Sequence, residues 1–129
     1  LRRHDAERWR KHMTTGDFSD AMVRIFLAIG FADQVVRRKG YAVIGRLFAA
    51  HPRMNDLAPE DLAQIVREQS RIVQTDADRA IDTLPHLLNG AADRRDALAL
   101  LDQAVAAIAR DLEPQERAVL ERVQTVLQA

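Results

Sequence analysis

Between Ile108 and Val123 the chain reads IARDLEPQERAVLERV, an acidic turn followed by a proline, a glutamate and an apolar stripe. Carboxylates gathered before a helix could hold a hard cation, since a calcium loop builds its shell from oxygen ligands at alternate positions, a turn glycine and a closing glutamate. This turn has no glycine, and Arg110 sits where negative charge has to gather. Helix initiation accounts for the same residues: Glu113 or Asp111 caps, Pro114 takes the first helical position, and Glu116 complements the positive end of the helix dipole. The other residues able to do chemistry are dispersed. His4, His12, His51 and His86 fall in separate segments, with no i, i+4 pair to put two imidazoles on one zinc ion. Ser19 and Ser70 lie outside any Gly-x-Ser-x-Gly elbow, and Gly40, Gly45 and Gly90 stand alone rather than in a phosphate loop. With no cysteine there is no thiolate nucleophile and no disulfide framework. No residue is therefore assigned a catalytic role, no cofactor is expected, and the chain is not expected to be an enzyme.

The elements that would position these residues all read as helices. No stretch alternates with period two for long, and glycine and proline are few, so strands have little support. A charged segment around Trp9 runs from Arg3 to Met13 and is ended by Thr14-Thr15-Gly16-Asp17. A second helix starts near Ser19; its MVRIFLAIGF stretch, Met22 to Phe31, is apolar on nearly every face, which marks a helix surrounded by others. Gly40 to Phe48 forms a third, with Val43, Ile44, Leu47 and Phe48 on one stripe, stopped by His51-Pro52. Pro59 opens a fourth, striped by Leu62, Ile65, Val66, Ile72 and Val73. Gln69 sits inside that stripe and must satisfy its amide, with a neighbouring backbone as the expected partner. Asp76 caps a fifth helix, DADRAIDTLPHLL, bent or ended by Pro85. A sixth carries Ala97, Leu98, Leu101, Ala104, Val105 and Ile108, and the last starts at Pro114 and buries Val119, Leu120, Val123, Val126 and Leu127. About seven helices with short loops make a compact all-α bundle, divided into a charged N-terminal segment, 1–16, and a helical domain, 17–129.

Composition narrows the partners. A chain of 129 residues at 47% hydrophobic suits one core, and its longest apolar run is far short of a bilayer span, so no direct membrane insertion is expected. The formal net charge of zero hides an asymmetry: residues 1–53 hold 11 Lys+Arg against 5 Asp+Glu, and residues 54–129 hold 8 against 14. The two halves can attract each other or partners of opposite sign. The basic clusters, Arg2, Arg3, Arg8, Arg10 and Lys11, then Arg37, Arg38 and Lys39, read as solvated helix faces, and no nucleic acid is expected. Trp9 is the one large apolar residue between Arg2 and Lys11, so it is expected to be substantially buried, on its own bundle, on something upstream, or in a pocket supplied wholly or partly by a second copy in a homodimer.

Two segments, AIGFADQVVRRKGYAVIGRLF and AVAAIARDLEPQERAVLERV, resemble the paired helix-turn-helix units of the TerB-like (tellurite-resistance TerB) helical fold. In that family each turn reads Ala-Asp-Gly, an aliphatic residue, then a glutamate on the next helix. Here the first copy has Ala32 and Asp33 but Gln34 for the glycine and Gly40 for the glutamate. The second has Leu112, Pro114 and Glu116, with Ala109 in the aspartate place and Arg110 in the glycine place. The resemblance implies Asp33, Asp111, Glu113 and Glu116 as candidate metal ligands.

The stretch DLAQIVREQSRIVQTDADRAIDTLPHLL, followed by DRRDALALLDQAVAAI, is also similar to the C-terminal region of poly(3-hydroxyalkanoate) synthase-like proteins of bacteria. The similarity rests on Glu68-Gln69, Ala80-Ile81, Thr83-Leu84-Pro85, Leu87-Leu88, Arg94-Arg95 and Ala97-Leu98. There a hydrolase-like domain precedes a TerB-like tail, which implies that any catalytic residues lie upstream. The expected function is a non-catalytic accessory or interaction domain in the cytoplasm, docking to an upstream hydrolase-like domain or a partner protein. The alternative is a cation-binding stress-response module of the tellurite-resistance type.

Overall fold

Gly16 precedes the central helix with φ +139°, a conformation that L side chains rarely adopt, and a Cβ there would lie 2.9 Å from Asp20. That turn lets Asp17 and Asp20 close a reciprocal capping box: the Asp20 N–H donates to Asp17 Oδ1 at 3.2 Å and the Asp17 N–H to Asp20 Oδ2 at 2.9 Å. The computed structural model describes the backbone of residues 3–32, 38–108 and 112–128. Within them the chain is all-helical, with eight helices: α1 (Arg3–His12), α2 (Phe18–Phe31), α3 (Arg38–Ala50), α4 (Pro59–Thr75), α5 (Ala77–Asp82), α6 (Leu84–Leu87), α7 (Ala91–Ile108) and α8 (Pro114–Gln128).

One helix more is found than the sequence reading expects, because Asp76 to Leu88 forms two. Asp76 caps α5 as expected, accepting from the Arg79 N–H at 3.1 Å. Pro85 has no N–H to give the carbonyl of Ile81, so α5 closes at Thr83 and α6 restarts with the proline in its first turn.

α2 is the centre of the fold. It packs against α4, α5, α6, α7 and α8 and buries residues on every side, from Phe18 through Ile29. α7 lies between α3 and α8, so Leu100 is buried along with the expected Ala97, Leu101 and Ala104. A helix covered from two directions has no single apolar stripe, and that is why Leu100 falls outside the predicted one. Val66, expected on the α4 stripe, is 37% exposed, while the polar Gln69 takes a buried place on that helix.

α1 rests on α4. Met13, just past its end, is fully buried, and Trp9 is half-buried against the core. The expectation of a substantially buried Trp9 is thus met only in part. The Arg8 guanidinium lies 5.4 Å from the indole centroid and the His12 ring 5.7 Å, so polar side chains of α1 itself share the ring's surroundings. Between α3 and α4, Arg53 ties the loop down: its guanidinium stands 4.0 Å over the Phe18 ring and pairs with Asp93 at 2.8 Å and Asp96 at 3.2 Å.

Candidate functional site

Of the acidic residues implied as metal ligands, Asp33 and Asp111 lie outside the described residues. Glu113 and Glu116 stand at the start of α8, where Pro114 opens the helix and the Arg117 N–H makes the first backbone bond to the Glu113 carbonyl at 2.9 Å. Glu116 is buried, and its Oε1 accepts the Glu113 N–H at 2.9 Å. That is the return half of a capping box, so this carboxylate is engaged in holding the helix start. Among the described residues no group of three or more His, Asp or Glu side chains could hold a metal ion.

The least expected feature is Arg24. It is fully buried in the middle of α2, inside the stretch that reads as apolar all round. Its Nε donates to Gln69 Oε1 at 2.8 Å; its Nη1 donates to the Met13 carbonyl at 2.8 Å, to Thr83 Oγ1 at 3.2 Å and to the Ala80 carbonyl at 3.3 Å. Its Nη2 has no hydrogen-bond partner among the described residues. Four parts of the chain converge on one guanidinium: α2, α4, the end of α1 and the α5–α6 junction. Burial lowers the Arg24 pKa to about 10, partly offset by the Asp20 carboxylate one turn earlier, so it remains a cation at neutral pH. Gln69 therefore finds its partner in a side chain, correcting the expectation of a backbone group. The clue in the sequence is a pair of anomalies, one arginine in an apolar helix and one amide in an apolar stripe; their contact, 45 residues apart, is not legible there.

Two hollows flank this hub at opposite ends of α2. Toward its C-terminal end an apolar groove of about 660 Å³ opens between α2, α4, α5 and α8. Ala28, Phe31, Val73, Ile81, Ala118 and Val119 form most of its wall. At its edge Arg122 bridges Asp78 and Asp82, which joins α8 to α5 and leaves the rim with both signs of charge. Hydrogen bonding to both aspartates raises the Arg122 pKa above its ordinary value. Toward the N-terminal end a polar cleft of about 200 Å³ lies under α1.

The described residues thus define an all-helical protein built on a buried arginine, with no membrane-crossing helix among them. No family model, no curated protein and no solved structure matches the chain, so none of these comparisons identifies a TerB-like domain.

Proposed function

We propose that this chain is a non-catalytic accessory or interaction domain, TerB-like in type as the sequence resemblance implies, which docks to an upstream hydrolase-like domain or to a partner protein. The observation that carries this reading is the apolar groove of about 660 Å³ at the α2, α5 and α8 junction. Phe31 and Val119 are partly exposed on that wall, and apolar surface facing water is unfavourable by about 25 cal/mol per Å², a free energy that a docked apolar side chain recovers. The mixed rim of Arg122, Asp78 and Asp82 would orient such a partner more than hold it.

A photo-reactive residue at Ala118, which is exposed on the groove wall, tests this in cells that make the protein. The expected result is one discrete cross-linked protein, lost when Val119→Asp places a charge in the groove. Equal cross-linking from a photo-reactive residue at Gln64, exposed on α4 away from the groove, would defeat the reading. The alternative, a cation-binding stress-response module, draws on Asp33, Asp111, Glu113 and Glu116. The engagement of Glu116 with the Glu113 N–H favours the docking reading over it.

A further inference from the structure

Small side chains line much of the apolar groove: Ala28 on α2, Ala32 at its C-cap, Ala77 on α5 and Ala118 on α8. The distance between packed helix axes, about 8–10 Å, is set by the side chains at the contact, so alanines on several walls let a further backbone come close. The volume of about 660 Å³ leaves room for several apolar side chains beside that backbone.

The backbone of an occupant selects its conformation. A segment seated among apolar walls cannot give its N–H and C=O groups to water, and they must be paired elsewhere. An extended strand pairs them with a sheet edge, but the described residues are all helical and offer none. A helix pairs its own and needs only an apolar stripe that matches the groove.

Charge selects what flanks the stripe. Arg122 donates through Nη1 to Asp78 Oδ1 and through Nη2 to Asp82 Oδ1, so two carboxylates meet one guanidinium and the cluster keeps a net negative charge. The side chains of Asp78 and Asp82 are 81% and 58% exposed, against 37% for Arg122, so the carboxylates are what an approaching partner meets first. The wider surroundings have the same sign: α5 and α8 belong to residues 54–129, which hold 14 Asp+Glu against 8 Lys+Arg. A fatty acyl chain suits the apolar walls, but its carboxylate or phosphate head would be repelled at this rim.

We propose, resting on the docking reading above, that the groove receives an amphipathic helix of a partner protein, its apolar stripe at i, i+4 and i+7 against the alanine walls and a lysine or arginine beside the stripe at Asp78 and Asp82. The basic residue sets orientation and selectivity, since an exposed ion pair adds little affinity, and the stripe supplies most of the binding.

Fluorescence anisotropy of the 129-residue chain with labelled alanine-based helical peptides tests this. One peptide carries leucines at i, i+4 and i+7 flanked by lysines, and its twin has glutamates for the lysines. The lysine peptide should bind about fivefold tighter or more, because the exchange turns attraction into repulsion. Asp78→Lys, at an exposed position, should invert that order, Ala118→Trp should block both peptides by filling the groove, and a proline in the middle of the lysine peptide should abolish its binding. Circular dichroism verifies that both protein variants are folded. Equal affinity for the two peptides, blocked by Ala118→Trp, would overturn the basic partner and leave the docking reading standing. Binding that survives the mid-peptide proline would overturn the helix. No saturable binding of either peptide up to about 1 mM, or decanoate binding in their place, would overturn the proposal outright, with photo-cross-linking at Ala118 left to decide the docking reading by itself.

Discussion

The two ends of α2 face opposite kinds of space. At one end Asp20 looks into a small polar cleft roofed by a charged helix; at the other Ala28 and Phe31 wall a larger apolar groove. Between them the helix is buried throughout, around a cation. The difference shows that polarity in this fold does not sort simply by depth. The Arg24 guanidinium is inside because four acceptors from three other segments meet it there, and the apolar groove lies between α2, α4, α5 and α8 with the charged Arg122 bridge at its edge.

The sharpest way to break this comparison is to disarm the hub. Gln69→Leu leaves the Arg24 Nε without an acceptor in a buried place, and a loss of about 3–5 kcal/mol is expected. Adding Arg24→Met should recover much of it, since no charge is then left buried. Urea melts of the three proteins check this, and a neutral Gln69→Leu would show that the hub contributes little. Leu101→Ala, at a fully buried position on α7, should cost about 2–5 kcal/mol as an ordinary cavity. Glu116→Gln should cost under about 1 kcal/mol, because glutamine can still accept the Glu113 N–H. If denaturant melts rank these two the other way round, the acidic turn matters more than a cap does.

Smaller effects separate the cleft from the groove. The pKa of Asp20 is raised in the folded chain, so the folded state takes up its proton before the unfolded state does. The stability of the wild type should therefore rise relative to Asp20→Asn as the pH falls from the raised folded value to the ordinary value of 3.8, with the gain complete below it. A difference that shrinks over that window would reverse the sign and remove the electrostatic account of the cleft. The smallest effect expected is that of a chelator. The melting temperature should be unchanged, and a fall of more than about 5 °C, equivalent to roughly 1 kcal/mol at this size, would favour the cation-binding alternative.

Much of the secondary structure was determined by the sequence alone, because its determinants are local. Proline at the α4 and α8 starts, Asp76 before α5 and the i, i+3, i+4 spacing of Ala97, Leu101 and Ala104 act within a turn or two of the chain. The acidic turn before α8 was legible for the same reason: a cap involves residues three apart, and Glu116 reaches back to the Glu113 N–H. What only the tertiary structure decided involves partners far apart in sequence. Whether a lone arginine in an apolar helix is buried depends on acceptors from Met13, Gln69, Ala80 and Thr83, which meet only when α1, α4 and the α5–α6 junction close on α2. The cleft under α1 and the groove at α8 are likewise spaces between helices, and their shape follows from how those helices cross, which no local periodicity encodes.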